Sequence, residues 1–365
     1  MENMNVLTFG AGALGTYIGG SLALAGNRVV FVEQLNAAQE LTQRGLVLDL
    51  TIDRRRWTGD DPSSAVYRPS SVEFVSSLDE ALNRDPFDVA IFALKSFDTA
   101  AALDGMRPHA DRLPPILCLS NGVDNEPALA AVLGEDKVIA GTVTSSVGRR
   151  GVGDIVLERL RGVGVADRHP LSLFVAEALN VAGLNAHLFL RAADMKWSKM
   201  LTNLPANATA AILNMTAAEV FAHPGLFRLE MRMLREALAV MRANRLHVVD
   251  LPRVPVRALG LGTRLPEFVA RPLMLKAVGG GRGGKMPSFH IDLYSGRGRS
   301  EVDWLNGAVV RYGEKASVPT PVNKLLTETL LALTKGELPL ETYSHQPEKF
   351  ISLISTLRVG TPDGR

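Results

Sequence analysis

The chain is poor in cysteine and in net charge. Its 365 residues include one cysteine, Cys118, so an intrachain disulfide is excluded and a reducing compartment fits. Lysines and arginines number 40 and acidic residues 38, which gives a formal net charge of +2. The arginine-rich pieces, at 53–57, 148–151 and 281–285, are short. We therefore expect no nucleic-acid partner, because binding to a phosphate backbone needs an extended basic surface.

Long hydrophobic runs and clustered metal ligands are also lacking. No apolar run approaches the roughly 20 residues of a membrane-spanning helix, and the first residues, "MENMNVLTFGAGALG", have no basic n-region. The seven histidines are scattered, with no i, i+4 pair on a predicted helix and no cysteine partner. These absences predict a cytoplasmic protein with no membrane partner and no bound metal.

Residues 1–190 show the pattern of an α/β domain. Short apolar runs alternate with helical stretches, which is typical of a parallel sheet with helices on both faces. The predicted strands are 6–10, 29–32, 89–93, 116–119 and 138–143, and the predicted helices are 13–25, 37–44, 78–83 and 125–133. Residues 51–68 are predicted to form a polar surface excursion, and residues 152–165 a β-hairpin that extends the sheet.

Residues 191–365 carry longer stretches of helical spacing, which predict an all-α domain. The predicted helices are 191–204, 215–221, 226–245, 303–315 and 321–334. The segment 251–287 is rich in proline and glycine, which fits either short helices joined by loops or a mobile flap.

Three glycines follow the first predicted strand in a G-x-G-x-x-G pattern. Gly10 suits a tight turn, Gly12 lets the backbone approach a pyrophosphate, and Gly15 lets the next helix pack closely against the strand. The first N–H groups of that helix favour a phosphate. The motif predicts a Rossmann-type domain that binds a dinucleotide through the loop residues Gly10, Ala11, Gly12, Ala13, Leu14 and Gly15.

An acidic residue ends the second predicted strand. Glu33 lies about 20 residues beyond the glycines, where a carboxylate suits the ribose hydroxyls of NAD and repels the additional phosphate of NADP. Gln34 follows it, and no arginine stands at this strand end. Glu33 also fits an ordinary surface turn, so both interpretations stay open.

A polar stripe runs through the apolar stretch "WSKMLTNLPANATAA" at 197–211. Lys199, Asn203 and Asn207 recur every four residues, and a continuous helix would present them on one face. Pro205 lies between the two asparagines and is expected to kink that helix. Because buried polar groups need partners, the stripe indicates a functional cleft.

The ordered set of motifs resembles the ketopantoate reductase family over nearly the whole chain. The motifs are "FGAGALG", "LKSFDT", "SNGVDN", "WSKMLTN", "PSFHID", "RGRSEVDWLNG" and "VPTPVN". The resemblance implies a Rossmann domain and a helical domain with the active site in the cleft between them. It also implies NADPH-dependent reduction of 2-dehydropantoate to pantoate, a step of pantothenate synthesis.

The resemblance also implies a role for individual residues. Lys199 matches the catalytic lysine, and Asn203 and Asn207 match the helix asparagines. The other matches are Glu301 in "SEVD", Ser288 in "PSFHID", Asn121 in "NG" and, near the cofactor, Lys95 in "LKSFDT". We therefore predict catalytic roles for Lys199, Glu301 and Asn203, substrate binding by Asn207, Ser288 and Asn121, and cofactor binding by Glu33, Gln34, Lys95 and Asn121 in addition to the glycine loop.

The chain departs from the family pattern in three places, of which Pro205 between the two asparagines is one. Gln34, preceded by Glu33, stands where the family typically has an arginine that holds the 2′-phosphate of NADP, so the cofactor is predicted as NADP or NAD. The segment 251–287, which precedes Ser288, is longer and more basic than the family usually has, so the substrate specificity is open.

Reduction of a 2-oxo acid needs a proton donor beside the carbonyl oxygen, and a lysine ammonium supplies one. A helical lysine also commonly extends to solvent, and Ser288, Ser300 and Glu301 also fit helix caps. Two alternatives to the reductase therefore stay open: a related dehydrogenase acting on a different hydroxy or amino acid, and a dinucleotide sensor without catalysis. A homodimer through the helical domain is also expected.

Overall fold

A computed structural model describes residues 3–84, 86–276, 286–296 and 298–357. The chain forms two compact units, one comprising Met1–Lys196 and Asp250–Val254 and the other Trp197–Val249 and Pro255–Arg365. The predicted domain ranges, 1–190 and 191–365, place 250–254 in the helical part instead. The structure assigns this segment to the first unit, where the Pro252 carbonyl accepts a hydrogen bond from Thr144 Oγ1 at 3.0 Å.

The first unit is built on an eight-stranded sheet, which confirms the predicted α/β class. Its strands are β1 Asn5–Phe9, β2 Arg28–Val32, β5 Val72–Val75, β6 Val89–Phe92, β7 Ile116–Cys118, β8 Val138–Val143, β11 Val163–Ala166 and β12 Ala186–Phe189. Their order across the sheet is β12-β11-β8-β7-β6-β1-β2-β5, and only the β8–β11 pairing is antiparallel. The five predicted strands correspond to β1, β2, β6, β7 and β8.

Helices cover both faces of this sheet because successive strand residues alternate between the faces. They are α1 Ala13–Leu24, α2 Leu35–Arg44, α3 Leu78–Leu82, α4 Thr99–Met106, α5 Asn125–Leu133 and α6 Ser172–Val181. Val6 and Ile91 belong to the buried cluster that includes side chains of α1 and α6. Their neighbours Leu7 and Ala90 belong to the cluster that includes side chains of α3, α4 and α5.

A second, four-stranded sheet corrects the predicted hairpin at 152–165. Its strands are β3 Val47–Asp49, β4 Val66–Tyr67, β9 Ser146–Gly151 and β10 Asp154–Arg159, in the order β4-β3-β10-β9. The hairpin partner of β10 is therefore β9, which precedes it, whereas β11 returns to the large sheet beside β8. The prediction was wrong because apolar periodicity gives no information on which sheet a strand joins.

The predicted excursion at 51–68 consists of two short 3-10 turns, Arg54–Arg56 and Pro62–Ala65, followed by β4. Asp53 is 2% exposed and binds Arg55 at 2.7 Å and Arg56 at 3.4 Å. The same two arginines donate to the Gly183 and Ala182 carbonyls at 2.9 and 2.5 Å. Arg55 and Arg56 therefore connect this turn to the end of α6.

The second unit is helical. Its elements begin within α7 Ala192–Asn203 and continue with α8 Asn207–Leu213, α9 Ala217–Ala222, α10 Pro224–Ala243, α11 Val256–Gly262, α12 Glu267–Met274, α13 Ser288–Tyr294, α14 Val302–Lys315, α15 Pro321–Thr334 and α16 Pro347–Leu357. The 20-residue α10 is amphipathic and buries Leu226, Phe227, Leu234 and Ala237. No described helix has the length and apolarity needed to cross a membrane.

The stretch 197–211 is two helices rather than one. Helix α7 ends at Asn203, and α8 begins at Asn207 after Ala206 has taken a left-handed conformation with φ of +54°. Pro205 has no N–H to continue the ladder, so the expected kink is a complete break. The Ala206 N–H donates instead to Glu230 on α10, at 2.8 Å, and Glu230 is fully buried. The prediction of one continuous polar stripe was therefore wrong.

The proline- and glycine-rich segment contains α11 and α12, which confirms short helices within its described part. Residues 277–285 lie outside the described residues, and the alternative prediction of a mobile flap falls partly on them.

Candidate active site

The glycine loop has the geometry that its motif predicts. Gly10 follows β1 with φ of +83°, a conformation that favours glycine, and its N–H donates to the Val32 carbonyl at 3.0 Å. A Cβ added to Gly15 would lie 2.1 Å from the Gly10 carbonyl oxygen, whereas one added to Gly12 would meet no atom within 4 Å. Gly15 therefore permits tight packing of the helix, and Gly12 leaves its own surroundings open.

Helix α1 begins directly behind this loop. Gly12 is its N-cap residue and has no side chain to cover the first N–H groups, and no acidic residue stands in the first turn. The N–H groups of Ala13, Leu14 and Gly15 therefore lie at the positive end of the helix dipole, and no side chain caps them. The arrangement suits a bound phosphate group.

Glu33 contacts the glycine loop directly. Its carboxylate accepts the Ala11 N–H and, at 3.1 Å, the Gln34 N–H. Since a carboxylate has about four acceptor positions, Glu33 retains capacity for a ribose hydroxyl. The same side chain thus braces the loop and offers the acceptor that the motif predicts.

The parallel sheet brings further predicted residues to the same edge. The carboxyl ends of β1, β2, β6 and β7 share one edge, so the glycine loop, Glu33, Lys95 and Asn121 all follow strands that end there. Lys95 and Asn121 are both partly buried.

Hydrogen bonds tie the loops after β6 and β7 together. The Asn121 carbonyl accepts Ser96 Oγ at 2.9 Å and Asn125 Nδ2 at 2.5 Å. Ser120 Oγ donates to the Leu94 carbonyl at 2.8 Å. These contacts fix the backbone that carries Lys95 and Asn121.

A buried lysine that the sequence reasoning missed completes this network. Lys196 is 5% exposed, and its ammonium contacts Glu126 Oε1 at 2.7 Å, the Ser120 carbonyl at 2.6 Å and the Gly141 carbonyl at 3.2 Å. The two carbonyls accept hydrogen bonds and the carboxylate forms an ion pair, so the buried charge has partners. Its only sequence signal is its position between the apolar residues Met195 and Trp197, which is ambiguous for a lysine.

In the helical unit, Lys199 and Asn203 form a pair across one turn of α7. Lys199 Nζ donates to Asn203 Oδ1 at 2.9 Å, and Lys199 is partly buried. The i, i+4 spacing predicted this contact. Trp197 on the same helix is 2% exposed and packs edge-on against Tyr312, which anchors the helix.

Asn207 links α8 to the start of α13. Its Oδ1 accepts the Phe289 N–H at 3.1 Å, and its Nδ2 donates to the Asn203 carbonyl at 3.1 Å and lies 3.3 Å from Ser288 Oγ. The structure thus brings together Asn203, Asn207 and Ser288. Ser288 is the first residue of α13 and does not cap it with its side chain, so the alternative of a serine cap is wrong.

Glu301 is 2% exposed and is the N-cap residue of α14. Ser300 Oγ accepts the Val302 N–H at 3.2 Å, but Ser300 precedes the N-cap position, so the expected N-cap by this serine is wrong. The Glu301 side chain makes no capping hydrogen bond either.

One histidine, His290, lies beside this cluster in sequence. His290 Nε2 is 2.8 Å from Asn214 Oδ1, and the ring stacks on Tyr294 with a centroid distance of 4.2 Å. Burial lowers the pKa of His290 below its usual value. A neutral ring that donates through Nε2 fits both observations.

The described residues show neither a metal-ligand cluster nor an accessible thiol. Among those residues, no three His, Cys, Asp or Glu side chains converge as metal ligands would. Cys118 is completely buried in β7, and burial raises the pKa of its thiol. It packs with the core, as expected.

Family comparisons match both parts of the chain. The family described as "Ketopantoate reductase PanE/ApbA" matches residues 6–167, and its C-terminal family matches residues 191–334.

Curated relatives are similar over almost their full length. A 2-dehydropantoate 2-reductase of Halobacterium salinarum is 26% identical over 333 residues, covering 89% of this chain and 97% of the relative. One from Streptococcus pyogenes is 24% identical over 340 residues, covering 90% and 97%.

Solved structures share the fold. A PanE/ApbA family ketopantoate reductase from Ralstonia eutropha has a TM-score of 0.74 and 25% identity, covering 92% of this chain and 99% of that one. A ternary structure of D-mandelate dehydrogenase with NADH and anilino(oxo)acetate has a TM-score of 0.71 and 20% identity, covering 91% and 99%.

Proposed function

Because the chain belongs to the ketopantoate reductase family, we propose that it reduces 2-dehydropantoate to pantoate with a nicotinamide cofactor. The observation that carries this proposal is the hydrogen bond from Lys199 Nζ to Asn203 Oδ1 at 2.9 Å. A dinucleotide sensor needs no oriented ammonium group, whereas a reductase needs a proton donor of fixed position. The oxidoreductase interpretation is therefore favoured over the sensor.

The proposed roles follow from what each side chain can do. A reduced nicotinamide supplies the hydride that forms the new C–H bond at the substrate carbonyl carbon. Lys199 gives a proton to the carbonyl oxygen as negative charge develops there, and its amine then regains a proton from solvent. Asn203 holds the ammonium in place and, in this proposal, also contacts the substrate hydroxyl.

The remaining predicted residues bind rather than react. Ser288 and Asn207 are proposed to donate to the substrate carboxylate, with Asn207 also holding the start of α13 through the Phe289 N–H. Glu301, buried at the start of α14, is proposed to accept a substrate hydroxyl. On the first unit, Lys95 and Asn121 are proposed to border the nicotinamide half of the cofactor.

Two observations bear on the choice of cofactor. The family resemblance favours NADPH, whereas Glu33 and Gln34 lack the positive charge that the 2′-phosphate needs. Glu33 also accepts the Ala11 N–H, so its carboxylate is held beside the glycine loop, where we propose that the ribose binds. We propose that NADH is accepted and that the missing arginine weakens NADPH.

A second substrate class is favoured by one structural relative. D-mandelate dehydrogenase, solved with NADH and anilino(oxo)acetate, shares this fold. An aryl-substituted 2-oxo acid is therefore the second candidate, with the same roles for Lys199 and Asn203. We also propose that the chain forms a homodimer through its helical unit.

The test is oxidation of reduced nicotinamide by the purified full chain. Ketopantoate and phenylglyoxylate, each with NADPH and with NADH, separate the two substrates and the two cofactors. Turnover with ketopantoate alone supports the first candidate, and turnover with phenylglyoxylate alone supports the second. Cofactor binding without oxidation in any arm contradicts both and favours the sensor.

A further inference from the structure

The helical unit contains a cavity of about 770 Å³ that the reductase proposal does not use. Its walls are the second half of α10, the following turn at 246–248, and α11 with the turn after it. We infer that this cavity binds an organic phosphate: a phosphate monoester with an apolar group attached. The volume falls within the ~300–1,000 Å³ typical of small-molecule sites.

The charge of the lining is the first observation behind this inference. Four arginines contribute to the walls, Arg235, Arg242, Arg257 and Arg264, and no aspartate or glutamate is among the lining residues. Within the described ranges, Arg235, Arg242 and Arg264 form no ion pair. Clustered guanidinium groups repel each other, so an anion in the cavity relieves that repulsion.

Two of these arginines are held by backbone carbonyls. Arg235 Nε donates to the Thr263 carbonyl at 2.8 Å, and Arg257 Nε donates to the Val248 carbonyl at 3.3 Å. Thr263 is itself 2% exposed and donates from Oγ1 to the Gly260 carbonyl at 2.8 Å. The Arg235 side chain is thereby oriented through Nε, which leaves the N–H groups of its terminal nitrogens for a ligand. Planar guanidinium groups bind phosphate oxygens in pairs.

The apolar part of the lining identifies the rest of the ligand. Leu238, Met241, Leu246, Val248 and Leu261 line the same cavity. Leu261 is 61% exposed, which leaves a large apolar side chain in water when the cavity is empty. Inorganic phosphate would satisfy the arginines but leave this apolar wall uncovered, so the geometry favours a phosphate carried on an apolar group.

The test is isothermal titration of the full chain with 1-naphthyl phosphate, inorganic phosphate and 1-naphthol. We expect 1-naphthyl phosphate to bind about tenfold or more tightly than either fragment compound, because each supplies only half of the contacts. Equal affinity for inorganic phosphate and 1-naphthyl phosphate would overturn the apolar part of the inference, and no measurable binding of 1-naphthyl phosphate would overturn all of it.

Variants distinguish binding in this cavity from binding at the glycine loop, which also suits a phosphate group. R242Q/R264Q removes two lining charges, and the matched control R107Q removes an exposed arginine that does not line the cavity. We expect the double variant to weaken 1-naphthyl phosphate at least about tenfold and R107Q to leave it unchanged. The single variant R264Q repeats the test if thermal melting shows that the double variant unfolds. Unchanged affinity in the folded lining variants contradicts the assignment to this cavity.

Discussion

Lys196 and Lys199 lie one turn apart on α7 and have different surroundings. Lys196 is enclosed by one carboxylate and two carbonyl oxygens, whereas Lys199 has an amide oxygen as its hydrogen-bond partner and is only partly buried. A fully enclosed ammonium cannot give its proton to a substrate. The structure therefore separates a lysine that stabilises the fold from one that is suited to chemistry.

Matched substitutions at the two lysines give the first prediction. Lys199→Ala is expected to lower kcat/KM by about 10²–10⁴ while leaving cofactor affinity and thermal stability near their original values. Lys196→Met leaves Glu126 as an uncompensated buried charge and is expected to cost about 3–5 kcal/mol of unfolding free energy. Steady-state kinetics, cofactor titration and denaturant unfolding check both, and a Lys199→Ala protein with full turnover would remove Lys199 from the mechanism.

Cofactor choice is a second residue-level prediction. Gln34 is exposed and follows Glu33, at the position where we propose that an arginine would meet the 2′-phosphate. Gln34→Arg is expected to lower KM for NADPH and to leave KM for NADH little changed, since a new charge-assisted contact forms with NADPH alone. The ratio of the two kcat/KM values measures the effect. An equal change in kcat/KM for NADPH and NADH would show that residue 34 does not contact the 2′-phosphate.

At the scale of the element, the break between α7 and α8 is held by Glu230. Its carboxylate accepts the Ala206 N–H at 2.8 Å and the Thr209 hydroxyl, and no part of the side chain is exposed. Glu230→Ala leaves two buried donors without this acceptor and is expected to lower the unfolding free energy by about 2–5 kcal/mol. Glu230→Gln keeps one acceptor oxygen and should lose less. Equal losses, measured by denaturant unfolding, would contradict the hydrogen-bond explanation.

The ion pairs of Asp53 with Arg55 and Arg56 give a pH-dependent prediction. Burial tends to raise the Asp53 pKa, but hydrogen bonding and charge from Arg55, with the charge of Arg56, bring it below its usual value. A lowered carboxylate pKa stabilises the fold fully above the unfolded pKa of about 3.9, and that contribution is lost as pH falls through the folded pKa. The difference in unfolding free energy between the wild type and Asp53→Asn is therefore expected to be largest near neutral pH and to shrink below about pH 4. Chemical unfolding at several pH values checks this, and a constant difference would contradict it.

Elements with strong periodicity could be predicted from the sequence, and those defined by distant partners could not. The order of β1, α1 and β2 and the glycine turn follow from local spacing and from the need for positive φ at Gly10. The pairing of β10 with β3 depends on residues about a hundred positions away. The helix break was indicated by Pro205, but its completeness depends on Glu230, which is remote in sequence.

The candidate site divides in the same way. The i, i+4 spacing predicted the Lys199–Asn203 contact, and the resemblance predicted Ser288, but spacing alone could not show that Asn207 holds the Phe289 N–H. The burial of Lys196 could not be predicted, because its partners Glu126, Ser120 and Gly141 come from separate loops and strands.

For the whole molecule, the surface of α12 and the turn before it bears on assembly. Leu265, Phe268 and Leu273 are 39%, 80% and 56% exposed, an unusual concentration of large apolar side chains. We predict that this surface pairs with a second copy, so sedimentation should give twice the mass of one chain. Phe268→Glu is expected to shift the protein towards a monomer, whereas Arg107→Gln should leave the mass unchanged. A monomeric wild type would contradict the predicted homodimer.

The segment Asp250–Val254 has a consequence for protein synthesis. It belongs to the first unit although residues 197–249 of the second unit precede it, and Leu251 is 4% exposed there. A ribosome therefore releases all of α10, Pro224–Ala243, before it releases the residues that complete the first unit. The two units therefore emerge in an interleaved order, and a fragment that stops at residue 196 lacks the Pro252 carbonyl, one of the two acceptors of Thr144 Oγ1.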